Sequence, residues 1–429
     1  MNVQVKATSI EYERPYRPRL IAGINFVGRM IRKIIRTRPS FNEDSLCAAA
    51  VRKTGLSDFG EKSFKQRMRL LIESLDHEAR LHPFGRFMVK QNLVRFLTNR
   101  LRIEDACRKH PEIMEIRMQD PVFIVGLQRT GTTMLHRLLA ADTENFRFLA
   151  SWEAINPAPF ASNRRAGGHD PRVNAALLGQ KALKYLAPDF FAIHPVDALG
   201  PEEDCMLFDF DFWSTVPEAT MRMPGFSRWL EDQDHSAAYQ YYKKLLKFLY
   251  WQNPRGRWIL KTPQHMEHFR EIFSVFPNAK IIQTHRDPLR VVASFCSMVS
   301  HAYGIFSDEV DPWEIGSHWS RKALQMVNHS MEIRRRISAD HFIDVPYAGL
   351  ISDPAGVMRR IYEFLAVPFT PEIESSALRW VGDNPQHRHG RHTYRLEDFG
   401  LAPAEIQREF AAYRTQFNIV EEATGDRRN

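Results

Sequence analysis

Gly126, Arg129, Thr130, Gly131, Thr132 and Thr133 crowd into one short stretch directly after the apolar run Pro121-Val122-Phe123-Ile124-Val125. Two glycines that let a backbone approach an anion, one permanent cation and three hydroxyls make a phosphate cradle, because free N–H groups and the dipole at a helix start favour negative charge. The spacing follows G-x-x-x-x-G-K-[ST] except that Thr132 replaces the lysine that reaches the terminal phosphates of a nucleoside triphosphate. That exchange points away from magnesium-dependent phosphoryl transfer and toward an anion held by arginine and backbone alone, such as a phosphosulfate.

Two further segments repeat the design of a strand running into a helix. Trp258-Ile259-Leu260-Lys261-Thr262-Pro263 carries Lys261 at the carboxyl end of the strand, with Pro263 suited to a first helical turn. Residues 279–288 carry Arg286 at the corresponding place, and the helix that follows brings Ser294 eight positions later. Ligands of open α/β sheets sit at that edge. Arg286 and Ser294 are therefore read as a grip on a second phosphate, although a serine so placed also bonds back to its own helix as an ordinary alternative.

With these three strand ends the chain resembles the sulfotransferases that use 3′-phosphoadenosine-5′-phosphosulfate (PAPS), most closely the bacterial branch with an Arg-x-Gly-Thr-Thr loop. The resemblance covers roughly residues 85 to 415, including Gly200-Pro201-Glu202-Glu203-Asp204 and the segment from Tyr394 to Leu401. It implies an α/β fold with a P-loop-like parallel sheet flanked by helices, and metal-free transfer of a sulfuryl group from PAPS to an acceptor hydroxyl. It also implies that Arg129, Thr130, Gly131, Thr132 and Thr133 bind the 5′-phosphosulfate, that Arg286 and Ser294 bind the 3′-phosphate, and that Lys261 lies near the sulfuryl group. Two positions depart from the soluble eukaryotic members. Met134 stands where they place an aromatic residue, and Pro263 where they place a histidine, so adenine stacking and the catalytic base must come from elsewhere.

Sulfuryl transfer needs a group that accepts the acceptor's proton and cations that stabilise charge on the departing phosphate oxygen. Arg129 and Lys261 supply the cations. Glu153 is the first choice of base, because it follows the phosphate-loop helix and the branch that sulfates protein tyrosines has a glutamate base at a similar distance; capping or pairing at a helix end is its structural alternative. His265, in the first turn after Pro263, and Glu203 are the other candidates. The cluster Glu202-Glu203-Asp204 otherwise reads as a solvated helix start. The stretch from His387 to His392 lacks cysteine or carboxylate partners at ligand spacing and reads as a lid over the nucleotide phosphates rather than a metal site.

These residues need a scaffold, and 429 residues at 44% apolar composition provide ample core for it. Four expected segments follow: a basic amphipathic stretch over 1–40, a helical cap over 41–115, the α/β domain over 116–415 and a tail over 416–429. Helices are expected over Phe64 to Leu75, Phe87 to Leu101, Ala237 to Trp251 and Trp319 to Ile337, and a late strand over Phe342 to Tyr347. The aromatic-rich region from Ala154 to Asn253, with Phe190, Phe208, Trp213 and Tyr239 among its rings, is expected to shape an acceptor pocket. Cys47, Cys107, Cys205 and Cys296 are widely spaced, which suggests neither a disulfide framework nor a zinc site and fits a reducing compartment.

Residues 1 to 40 hold nine Lys or Arg against Glu11 and Glu13, which leaves the rest of the chain close to neutral given a net charge of +8. The apolar run from Leu20 to Gly28 is far shorter than the roughly 20 residues of a spanning helix. Ile24, Val27, Met30, Ile31, Ile34 and Ile35 instead recur at helical spacing among basic residues, a pattern that suits either an anionic lipid surface or packing on the protein itself. The expected placement is cytoplasmic, peripheral at a membrane if that surface is used. The expected partner is a small-molecule, lipid or glycan acceptor, with no nucleic acid. Two other readings stay open: a P-loop kinase of small molecules, which Thr132 disfavours, and a nucleotide-binding protein without catalysis.

Overall fold

The computed structural model describes residues 12, 15–35, 40–160, 170–384 and 394–422. Five parallel strands form its sheet in the order β2-β3-β1-β4-β5, where β1 is Val122–Val125, β2 Phe146–Phe148, β3 Arg257–Lys261, β4 Lys280–His285 and β5 Phe342–Pro346. The strands are short and rich in β-branched and aromatic residues because both faces are covered. Alternation along β1 divides the core. Phe123 and Val125 join the apolar cluster that continues into the cap, whereas Val122 and Ile124 join a second cluster with Leu135, Leu138 and Met358.

Among the described residues, the cap ahead of the sheet is built mainly of α1 (Arg19–Ile35), α2 (Glu43–Thr54), α3 (Phe64–His77) and α4 (Pro83–Lys109), with a single short turn of helix at Glu112–Glu115 before β1. Helix α4 starts ahead of the expected Phe87 because His82 caps it, accepting from the Gly85 N–H at 2.7 Å, and Pro83 takes its first position. The cap is tied to the α/β region through buried charge: Asp211 accepts from Arg67 at 2.7 Å and from Arg100 at 2.8 Å.

Within the α/β region the elements that bear on the site are α5 (Thr132–Ala140), α6 (Ser151–Ile155), α7 (Ser236–Gln252), α8 (Pro288–Phe306), α9 (Pro312–Arg334) and α10 (Pro354–Phe364). Helix α9 begins well before the expected Trp319, since Asp311 accepts from the N–H groups of Trp313 and Glu314 and Pro312 fits the first turn. Helix α8 is long and apolar enough to cross a membrane, yet most of it is buried in the core. Strand β1 lies between β3 and β4, so the turn after Val125, the end of β3 at Lys261 and the residue after β4, Arg286, converge on one edge of the sheet.

Candidate active site

The turn between β1 and α5 is held in a conformation that few side chains tolerate. Arg129 has φ 69° and Gly131, which caps α5, has φ 91°; a non-glycine residue in the left-handed region marks a site where geometry has been fixed at some cost. At Gly126 a β-carbon would fall 2.2 Å from the Thr284 hydroxyl oxygen, so only glycine lets the turn lie this close to β4. Thr130 is fully buried and its hydroxyl is engaged by the Leu127 carbonyl at 2.6 Å and by Thr284 Oγ1 at 2.6 Å. Thr130 therefore clamps the loop and its side chain does not face a ligand. Gly131, Thr132 and Thr133 do, lining a cavity of about 860 Å³ together with Arg129.

Lys261 brings β3 to the same point. Its ammonium donates to Glu203 Oε1 at 2.5 Å and to the Thr133 hydroxyl at 3.4 Å while its stem is buried. From the other side, Arg129 Nε donates to Ser294 Oγ at 3.1 Å, which ties the loop to α8. Arg286 Nη1 donates to the Arg129 carbonyl at 3.0 Å, and its guanidinium lies 4.0 Å from the centre of the Tyr347 ring. Burial, with the neighbouring Arg286 charge adding to it, presses the Arg129 guanidinium below its ordinary value. Burial also acts to lower Arg286, but its bonds to Glu422 outweigh that and raise it.

The three expected bases fare differently. Ser151 and Ile155 line the cavity, one helical turn apart on α6, which sends the intervening Glu153 to the opposite face. There it is buried, accepting from Arg147 Nη2 at 2.9 Å and from the Ala150 N–H at 3.2 Å. That face points away from the cavity, so the expected placement of the first-choice base is corrected. His265 is corrected as well: it is fully buried, with Nε2 on Asp204 at 2.7 Å and Nδ1 on Tyr239 at 2.7 Å, and no ring nitrogen remains for a substrate. Glu203 does reach the cavity, beside Lys261. The acidic cluster is not a solvated helix start, because Asp204 turns into the core while Glu202 and Glu203 face the cavity.

Sequence reasoning missed several lining residues. His194 faces the cavity, and burial holds its imidazole below the ordinary range against the pull of Glu202 and Glu203. Glu267 faces it too, pushed up to about 7 by burial in spite of nearby Lys322. Tyr347 and Trp380 line the end next to Arg286. The cavity also has an apolar lobe of Phe295, Met298 and Ala302 on one face of α8 and Trp319 and Met326 on α9, with the Lys322–Glu218 ion pair and Glu267 set into its wall. Among the aromatics expected to shape an acceptor pocket, Phe190 lines the cavity, whereas Phe208, Phe210, Trp213, Tyr239 and Tyr242 are core. The stretch from His387 to His392, expected as a lid, lies outside the described residues.

A parallel sheet whose central strand opens into an anion-cradling turn, with cations at two flanking strand ends and an apolar lobe in the same cavity, defines a nucleotide-dependent group transferase. Comparison with known proteins specifies the group. The profile of the sulfotransferase family matches residues 121–371, and the chain belongs to that family as a PAPS-dependent enzyme. The solved sulfotransferase STF9 from Mycobacterium avium is 31% identical, with a TM-score of 0.78 over 89% of this chain and 98% of that one. STF1 from Mycobacterium tuberculosis is 27% identical, with a TM-score of 0.76 over 88% and 100%. Among curated relatives, the omega-hydroxy-beta-dihydromenaquinone-9 sulfotransferase Stf3 of Mycobacterium bovis is 26% identical over 71% of this chain and 77% of its own length.

Proposed function

We propose that this enzyme sulfates a hydroxyl on an apolar, lipid-type acceptor. The observation that carries the reading is a single cavity lined both by the phosphate cradle, with Glu203 and its partner Lys261, and by the apolar side chains of α8 and α9. The loop N–H groups, Thr132, Thr133 and Arg129 hold the phosphosulfate, and Arg286 and Ser294 take the 3′-phosphate. Glu203 accepts the acceptor's proton as its oxygen bonds to sulfur, while Lys261 and Arg129 stabilise the negative charge left on the phosphate oxygen when the sulfur–oxygen bond to it breaks. No metal enters this scheme. The Stf3 relative, a sulfotransferase of omega-hydroxy-beta-dihydromenaquinone-9, supports a lipid-type acceptor.

The test is transfer of label from radioactive PAPS to a panel of ω-hydroxylated isoprenoids, sterols and phenols, alongside calorimetry with 3′-phosphoadenosine-5′-phosphate (PAP) and with ATP plus magnesium. Binding of PAP without ATP, and labelling of an apolar alcohol, is the expected result; ATP binding without PAP would overturn it. Arg286→Ala should weaken PAP binding by roughly 1.5 to 3 kcal/mol, the worth of a charge-assisted hydrogen bond, and an unaltered dissociation constant would take Arg286 out of the donor site.

A lipid acceptor fits the outer surface of α1. Leu20, Ile24, Val27, Ile31 and Ile34 form one exposed stripe, reaching 78% exposure at Ile34, while the neighbouring face docks on the start of α4 through Asn25 and Gly28. Asn25 Oδ1 accepts from the Phe84 N–H at 2.9 Å, and a β-carbon at Gly28 would lie 2.5 Å from the Pro83 side chain. Packing on the protein thus uses the narrow face and leaves the wide apolar one outward, flanked by Arg19, Arg29 and Lys33. We read it as a contact with anionic lipid. Ile24→Glu with Ile31→Glu should reduce co-sedimentation with phosphatidylglycerol vesicles by at least about tenfold, since two side chains of apolar area are removed from the contact. Equal sedimentation of the double variant would remove α1 from any membrane role.

A further inference from the structure

The residues assigned above to the 3′-phosphate already engage the protein's own groups. Arg286 turns the fork of its guanidinium, Nε and Nη2, onto the two carboxylate oxygens of Glu422 at 2.8 Å each. Its remaining nitrogen, Nη1, holds the Arg129 carbonyl, and its flat face is covered by Tyr347. Ser294 is engaged by Arg129. A bidentate fork with two equal distances is the arrangement an arginine offers to a phosphate, and here a carboxylate from the C-terminal segment occupies it.

That carboxylate is delivered by a built path. Helix Ala411–Gln416 docks on the end of β4: the Tyr413 hydroxyl lies 3.0 Å from His285 Nδ1, and the Phe417 ring stacks on His285 at 4.0 Å. Asn418, at φ 50°, then reverses the chain in the left-handed turn that asparagine tolerates, with the Ile419 N–H donating to the Arg414 carbonyl at 2.9 Å. Three residues on, the Glu422 N–H donates to Asp287 Oδ2 at 3.0 Å, next to the start of α8. The neighbouring Glu421 points elsewhere, with Arg414 at 3.6 Å.

From this geometry we propose that Glu422 is an internal stand-in for the nucleotide's 3′-phosphate, a latch that closes the donor site and is displaced when the nucleotide binds. The inference rests on the assignment of Arg286 to that phosphate. A carboxylate brings one charge where the phosphate brings up to two, so the nucleotide wins the fork but its apparent affinity is lowered by the closed population. The latch also keeps Arg286 paired in the absence of nucleotide, which spares the site two facing guanidinium groups without an anion.

The test is calorimetry of full-length protein with PAP, comparing the wild type, Glu422→Gln and Glu421→Gln, together with amide exchange at Glu422 with and without saturating PAP. Glu422→Gln should tighten PAP binding by about tenfold or more, because a charge-assisted competitor is removed. Glu421→Gln should match the wild type, and PAP should release the protection of the Glu422 amide. Equal or weaker binding by Glu422→Gln, with the amide still protected, would overturn the latch and leave the donor assignment standing. Absence of PAP binding in all three proteins would bring down the donor assignment and the latch with it.

Discussion

Glu203→Gln is expected to cut turnover by roughly a hundredfold to ten-thousandfold, the usual worth of a positioned general base, while PAP affinity stays close to that of the wild type. The substitution keeps a carbonyl oxygen to accept from Lys261, whose contact with Glu203 Oε1 is 2.5 Å and whose second contact is Thr133, so the strand end and the loop should hold their places. What is lost is the charge of the carboxylate and with it the capacity to take a proton. Single-turnover measurements with saturating PAPS separate this from a binding defect, because the fall should lie in the chemical step. Near-normal turnover would show that another group takes the proton, and His194, which also faces the cavity, would be the next to test.

The second large effect lies on stability. Glu153→Ala should cost about 3 to 5 kcal/mol of folding free energy, the range found when one partner of a buried ion pair is removed. Arg147 is fully buried, stacks 4.1 Å from the centre of the Trp258 ring and gives its Nη1 to the Leu249 carbonyl at 2.9 Å. Without Glu153 its other nitrogen and the Ala150 N–H are left without their acceptor. Urea unfolding followed by intrinsic fluorescence reads the loss, and Glu153→Gln, which keeps an acceptor for one of the two donors, should lose less. Unchanged stability combined with a hundredfold loss of turnover at normal PAP affinity would reinstate Glu153 as the base.

What could be read in advance divides by the range of the interactions involved. The turn after β1, the strand-end position of Lys261 and the positions of Arg286 and Ser294 at β4 and α8 were legible because each signal is local: a glycine-bounded turn after an apolar run, a cation at a strand end, a serine at fixed spacing on the next helix. The rule that ligands gather at the carboxyl edge of an open parallel sheet then brings the three together without any coordinates. The amphipathic pattern of α1 was equally local, but which face meets the protein was decided by the close approach of Gly28 to Pro83.

The base was not legible, because it depends on which way a side chain points from a short helix and on what lies across from it. Glu153 and His265 have the right chemistry at a plausible distance along the chain, yet Arg147 in one case and Asp204 with Tyr239 in the other engage their polar atoms. One sequence signal bore on the first: Glu153 sits in the first turn of α6, where a glutamate commonly reaches back to the N–H that precedes the helix. Nothing local predicts that Glu203 meets Lys261, that α8 and α9 line an apolar lobe of the same cavity, or that Glu422 closes on Arg286. Those contacts join residues far apart in the chain, and the folded core alone fixes their distances. The sequence by itself pointed to an anion-binding loop and to the reaction class; the tertiary structure decided which carboxylates face the cavity, because a buried charge must pair and only packing settles with whom.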